Sequence, residues 1–300
     1  MRNCLTIDLE SIAHRYVTEK RHLSTVERSQ IETEENRRLL DGGRILLHTE
    51  RILHLLKKYE CSATFFVVGE VSEWYPALID EIREEGHEVA YHSHTHTPLK
   101  SVHFLEEELE KSRSFIKKFR PRGFRAPQAR ITQECLAHLA KRGFVYDSSS
   151  YGSFTTLGMI EGVIEVPIST YSLHKDAAAT VPRPLSLSLL HNLEIPFGSG
   201  YFISLISLAT PRLVSRLIEK SNQKGCPSIL CLHPWQLSNN IAGSISGASL
   251  SHLALIPYDV SCSRAFEYLV RNHNFFSIFE LIEDMGGPPS YSKKNASSSD

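Results

Sequence analysis

An excess of charge of either sign is missing from this sequence: 33 basic residues stand against 34 acidic ones among 300, a formal charge of −1. Such a balance supplies no field for gripping a polyanion, which argues against nucleic acid or an anionic membrane as a partner. Long apolar runs are missing too. The most apolar stretch, Phe202 to Val214, is interrupted by Pro211 and falls short of the ~20 apolar residues a membrane span needs, so none is expected. A secretory leader would carry an apolar run of about 7–15 residues after a charged start. Here Asp8 and Glu10 arrive almost at once, and the expected location is cytoplasmic. Cysteine is sparse, six residues with no Cys-x-x-Cys pair, which excludes a disulfide framework. Cys4, Cys61, Cys135, Cys226, Cys231 and Cys262 read as reduced core residues without a function. Cys226 and Cys231, on one apparent strand, would point to opposite faces and not share a metal.

What the sequence does have is a 41% hydrophobic content arranged as short apolar or β-branched runs alternating with amphipathic segments, the pattern of an α/β fold. Strands are expected at Cys4–Asp8, Ala63–Val68, Glu88–His92, Gly123–Arg125, Phe144–Tyr146, Val163–Ile168, Ser228–His233 and Phe275–Phe279. Helices are expected over residues 44–60, 74–85, 104–119, 131–142, 209–223 and 262–273. The first carries Ile45, Ile52, Leu56 and Tyr59 on one stripe, as a helix covering a sheet or barrel would. Residues Ser11 to Gly43 read as a long charged excursion ending at Asp41-Gly42-Gly43, and Ser238 to Ser251 as a mobile cap rich in Ser, Gly and Asn. With no repeat and no linker, one catalytic domain over residues 1–285 is expected, followed by a disordered tail, 286–300, whose Asn295 sequon is without meaning unless the chain is exported.

Four constellations carry chemistry. In Thr6-Ile7-Asp8-Leu9-Glu10 the strand period of two puts Asp8 and Glu10 on one face, and a cation or a proton would relieve their repulsion. In Gly86 to His96 a strand runs into His92, His94 and His96, and imidazoles four residues apart can share one metal. His94 is the bystander of the three. In Gly123-Phe124-Arg125-Ala126-Pro127-Gln128 an arginine precedes a rigid turn, where it can hold a carboxylate ionised. In Ser228 to Trp235 an apolar strand ends at His233, suited to general acid or base work, with Trp235 placed to wall a pocket.

In this order the four resemble the polysaccharide deacetylase family, a carbohydrate esterase group. The acidic pair, His92-x-x-x-His96, Arg125-x-Pro127 and Leu230 to His233 follow the family sequence. Ala63 to Gly69, Tyr146-Asp147-Ser148-Ser149, Glu165 to Ser169 and Gly198-Ser199-Gly200-Tyr201-Phe202 look most like the branch associated with exopolysaccharide biosynthesis. The resemblance covers roughly residues 3–283. It implies a single distorted (β/α)7-type barrel with its site at the C-terminal ends of the strands.

The resemblance implies further that Asp8 is the base, Arg125 its partner and His233 the acid, with Glu10, His92 and His96 as ligands of a divalent metal, zinc in the simplest case and Co2+, Ni2+ or Mn2+ otherwise. Pro127, Gln128, Tyr201 and Trp235 are expected to meet substrate, and Asp147 or Glu165 to orient His233. The expected reaction is hydrolytic removal of N-acetyl groups from an acetamido sugar in a polysaccharide or glycan precursor, with a bell-shaped pH profile. An amidohydrolase of the same fold acting on a small or cyclic amide without metal is the alternative, and an inactive sugar-binding barrel the third reading. Two departures from the family pattern stand out. Ser11 follows Glu10 where a further acid is familiar, and Gln128 replaces the aromatic residue frequent after Arg-x-Pro.

Overall fold

The computed structural model describes residues 1–14, 31–155, 157–172, 194–207, 210–238 and 261–287. Most of the expected cap from Ser238 to Ser251, the tail beyond residue 287 with its sequon, and the middle of the Ser11–Gly43 excursion lie outside those residues.

The first strand, β1 (Asn3–Leu9), is buried along its whole length, as a central parallel strand covered on both faces must be. It lies between β12 (Ile229–Leu232) and β2 (Thr64–Val67), parallel to both. From β2 the sheet continues in parallel through β3 (Glu88–Tyr91), β4 (Gly123–Phe124), β5 (Tyr146–Asp147) and β8 (Val163–Glu165). An antiparallel edge, β7 (Met159–Ile160), ends the row, and β13 (Phe275–Phe276) pairs with the start of β1. Beyond β12 the backbone bonds Cys231 N→Gly198 O and Gly198 N→Ser169 O lead toward β9 (Ile168–Ser169), which pairs with β6 (Tyr151–Gly152), while β10 (Tyr171–Ser172) and β11 (Glu194–Ile195) form a separate antiparallel pair. This mostly parallel arrangement with helices between strands is consistent with the expected distorted (β/α) barrel.

Side-chain alternation sorts the two faces. Leu5, Ile7, Leu9, Phe65, Val67, Val89, Tyr91, Leu230 and Leu232 join the large apolar cluster that includes Ile45, Ile52, Leu53, Leu55 and Leu56 of the helix Arg44–Lys58. Thr6, Asp8, Arg125, Cys231 and His233 fall on the opposite face, where the chemistry collects.

Several expected elements differ in their limits or kind. Val163–Ile168 is two short strands because Pro167 has no N–H for the ladder. The strand expected at Phe144–Tyr146 is Tyr146–Asp147. Phe275–Phe279 stops at Phe276, since Ser277 and Glu280 form a capping box that starts the helix Ile278–Asp284. Residues 74–85 divide at Pro76, where one helix ends at Trp74 and another begins, and residues 104–119 divide at Ser112. Within the expected excursion, Thr33 caps a helix Glu34–Asp41, which ends on left-handed Gly42.

Candidate active site

The site is built on the C-terminal ends of β1, β3, β4 and β12. Asp8 is the penultimate residue of β1, and Arg125, directly after β4, donates from Nη1 to Asp8 Oδ1 (2.6 Å) and to Thr6 Oγ1 (2.8 Å). Arg125 is only 1% exposed; its Nε and Nη2 donate to Ser148 O and Oγ, and its guanidinium lies 4.1 Å above the Phe66 ring. Burial pushes the Asp8 carboxyl up, but Arg125, then His92 and His233, outweigh it and hold the group below its usual range. With Oδ1 engaged, Oδ2 faces inward toward Cys231 Sγ (3.4 Å), His233 Nε2 (3.7 Å) and His92 Nε2 (3.9 Å).

Glu10 follows a tight turn, Glu10 N→Asp8 O, and is 1% exposed. Its Oε2 lies 2.6 Å from His96 Nε2 without the alignment of a hydrogen bond. Trp235 Nε1 donates to its Oε1 at 3.4 Å. The neighbouring imidazoles, His96 first, overcome the effect of burial and hold its carboxyl far below the usual range.

His92 and His96 meet neither as an extended strand nor as a helical turn. Ser93 and His96 both have positive φ, 62° and 58°, so the chain after β3 folds back and sets the two rings 5.0 Å apart. His92 Nδ1 donates to Arg125 O (2.7 Å), which fixes the tautomer and leaves Nε2 bare toward the site. Burial lowers the His92 pKa to about 4, keeping the ring neutral. His94 turns away to Ser112 Oγ, as expected of the bystander.

Whether these residues fit a cation can be judged from the donor set. Glu10, His92 and His96 each offer one ligand atom within 4.8 Å of the others. The set is two imidazole nitrogens and a carboxylate, and Glu10 Oε2 and His96 Nδ1 are buried without a hydrogen-bond partner. A tetrahedral divalent ion of the zinc type, with one position left open, suits that set.

His233 follows β12, and its Nδ1 faces Gln236 Oε1 (3.2 Å), which also accepts from His233 N (3.0 Å). The acid expected to orient it is therefore replaced by an amide. Asp147 is engaged instead by Ser149 N and Oγ, and Glu165 by Ser150 Oγ. These two carboxyls sit side by side on paired strands, away from His233 in their bonding.

A cavity of about 230 Å³ opens on Asp8, Glu10, His92, His96, Arg125 and His233 together, with Gln128 and Tyr201 on its wall. Pro127 and Trp235, expected at the substrate, are buried and do not line it. Trp235 packs on His233, ring centroids 4.8 Å apart, and backs that imidazole instead of walling the pocket. Gln128 has φ 56° and ψ 20°, so the turn after Arg125 is left-handed.

Sequence reasoning missed several contributors. Glu108, 3% exposed, accepts from His94 N, Thr95 N and Thr95 Oγ1 and so anchors the histidine loop. Glu70 accepts from His14 Nε2 and is clamped by Arg37, while His14 Nδ1 accepts from Ser11 N beside Glu10. Cys231 lines the cavity. A Cys-x-His pair at a strand end would have revealed it, because alternate residues share a face.

Residues 41–146, which include His92, His96 and Arg125, match the family model for polysaccharide deacetylase. A chitooligosaccharide deacetylase of Bradyrhizobium sp. (strain ANU 289) is 38% identical over 109 residues, 34% of this chain and 50% of that one. Another, from Sinorhizobium fredii, is 28% identical over 212 residues, 68% of this chain and 93% of that one. The matches with the first curated relatives cover 45%, 40% and 50% of their lengths, half or less. The crystal structure named for a polysaccharide deacetylase of Mycobacterium smegmatis shares the fold: TM-score 0.52 at 18% identity, over 90% of this chain and 91% of that one. Among the described residues no helix is long and apolar enough to cross a membrane.

Proposed function

We propose, from its similarity to the polysaccharide deacetylase family, that the chain hydrolyses the N-acetyl group of an acetamido sugar in a glycan or glycan precursor, with a divalent metal, zinc in the simplest case. The observation that carries this reading is the convergence of Asp8, Glu10, His92, His96, Arg125 and His233, drawn from four separate stretches of sequence, on one cavity.

Glu10, His92 and His96 would hold the ion, which when bound supplies Lewis acidity at the acetyl carbonyl and acidifies water. Asp8 then has one task. Its Oδ1 is fixed by Arg125 and its Oδ2 is turned inward, so Oδ2 takes the proton of the attacking water. A backbone N–H near Gln128 would be the donor to the developing oxyanion, since Ala129 N and Arg130 N are already bonded to Ala126 O and Pro127 O. His233, held through Nδ1 by Gln236, presents Nε2 to protonate the leaving amine. Tyr201, on the same wall, gives the sugar a surface to lie against. Six cysteines, all buried and free, support a reducing compartment, and a cytoplasmic location is part of the proposal.

Acetate release from acetylated chitooligosaccharides, with zinc or cobalt added to chelated protein, tests the reading. Release that vanishes in Asp8→Asn and His233→Ala supports it. Binding of the oligosaccharides without any acetate would make the chain a sugar-binding protein and end the proposal.

A further inference from the structure

Cys231 and His233 occupy alternate positions at the end of β12 and therefore share a face. The β1–β12 register pairs Thr6 with Cys231 and Ile7 with Leu232, which brings Asp8 beside His233 on that same face. The result is a tripod of unlike donors: Cys231 Sγ is 3.4 Å from Asp8 Oδ2, Asp8 Oδ2 is 3.7 Å from His233 Nε2, and all three atoms lie within 4.8 Å of one another. Tetrahedral coordination with bonds of about 2.0–2.3 Å spaces ligand atoms roughly 3.3–3.8 Å apart. The two separations that involve Asp8 Oδ2 already fall in that range.

We propose that Asp8, Cys231 and His233 form a second cation site, selective for thiophilic divalent ions such as zinc and cadmium, and that filling it silences the enzyme. It shares no residue with the Glu10–His92–His96 set.

Each donor is prepared for the role by its other contacts. Arg125 occupies Asp8 Oδ1, so Oδ2 is the oxygen left to bind. Gln236 takes the Nδ1 side of His233 and leaves the Nε2 lone pair directed inward. Cys231 lines the cavity wall, giving an ion a route in. A sulfur, an imidazole nitrogen and one carboxylate oxygen suit zinc or cadmium and not magnesium or calcium, which demand oxygen ligands. On binding, the thiol proton passes to solvent. Asp8 Oδ2 can then accept no proton from water, and His233 Nε2 can give none to an amine. Ion binding stands independently of the deacetylase reading; only the loss of turnover rests on it.

The test titrates the full chain with cadmium, counting ions by native mass spectrometry and following the ultraviolet thiolate-to-cadmium charge-transfer band. Wild type should take up a second ion with growth of the band. Cys231→Ser and Cys231→Ala should lose both, while Cys226→Ser and the His92→Ala/His96→Ala double variant keep the band. Magnesium should produce none. A band that persists in both Cys231 variants, or a wild type that shows none, overturns the site. A measurement on wild type alone guards against misfolded variants: cadmium should slow alkylation of Cys231, read peptide by peptide, and leave Cys226 unchanged. Equal alkylation of Cys231 with and without cadmium overturns the site as well. In turnover, zinc beyond one equivalent should inhibit wild type but not Cys231→Ser, each judged against its own rate. Absence of acetate release from every preparation would defeat the deacetylase reading and leave the absorbance result to decide the site.

Discussion

Arg125 and Asp8 form a buried ion pair, Nη1 to Oδ1 at 2.6 Å, in which one carboxylate oxygen is held and the other is left for chemistry. Asp8→Asn keeps the shape and removes the proposed proton acceptor, so acetate release should fall by about 10²–10⁴-fold with the fold intact. Arg125→Ala instead strands a carboxylate in the interior and should cost about 3–5 kcal/mol of stability, read from the urea midpoint. Arg125→Lys should behave nearer to the alanine variant, because an ammonium cannot span Asp8, Thr6 and Ser148 together.

The histidine loop depends on a residue that touches no substrate. Glu108 satisfies two backbone N–H groups between His92 and His96, and its loss frees the turn that makes the two rings converge. Glu108→Ala should weaken zinc binding by about 10–100-fold, as outer-shell changes do. Glu10→Gln, which removes the charge of a proposed ligand, should weaken it further. Competition against a chromophoric chelator measures both, and an unchanged affinity in Glu10→Gln would remove Glu10 from the ligand set.

Much of this site was legible because its residues sit where a period of two and a short spacing already place them. Asp8 with Glu10, His92 with His96, and Arg125 before Pro127 are all local patterns. What could not be read is whatever depends on which strand lies beside which. Gln236 reaches His233 through a one-turn helix, while Asp147 and Glu165, plausible partners by type, face each other across β5 and β8. The sequence also hides the burial of Trp235, since an aromatic residue after a strand can wall a pocket or back one. Among fold elements, the apolar runs marked the central strands, whereas Pro167 and the Ser277 capping box decided limits that hydrophobicity alone smooths over.

The Asp147–Glu165 pair should make stability fall as pH rises. Both carboxyls are pushed above the usual range, chiefly by burial, and Glu165 further by the charge of Asp147. A raised native pKa means the folded state binds protons the unfolded state has released. The stabilisation is complete below the ordinary carboxylate range, ~4, and is lost as pH climbs through the raised values. Glu165→Gln removes that dependence, and its melting temperature should exceed that of wild type at pH 8 and approach it at pH 4.

Glu70 predicts the reverse slope. Burial raises its carboxyl, but His14 and Arg37 together draw it down to about 2. Its contribution is present above the unfolded value of ~4.3 and disappears as pH falls toward the native one. Glu70→Gln should cost about 3–5 kcal/mol at pH 7, since Arg37 is left buried without its counterion. The penalty should shrink in urea unfolding below pH 4. Because His14 also holds Ser11 N beside Glu10, the same variant should bind zinc more weakly than wild type at neutral pH.

His87 offers a gain in place of a loss. It is 7% exposed, both ring nitrogens lack a hydrogen-bond partner, and its ring lies 5.5 Å from that of Phe65. Burial lowers its pKa, and Glu85 and Glu280 only partly oppose that. As pH drops below ~6.5 the unfolded chain takes up a proton that the folded one refuses, so stability declines by up to about 1.4 kcal/mol per pH unit until the lowered native pKa is reached. His87→Leu removes two unpaired polar atoms from an apolar setting and should stabilise the chain by about 1–2 kcal/mol at neutral pH. The advantage should widen in urea titrations between pH 6.5 and 5, since only wild type carries the proton penalty. A variant that unfolds at a lower urea concentration than wild type throughout that interval would mean the imidazole is satisfied in solution, with water as its partner.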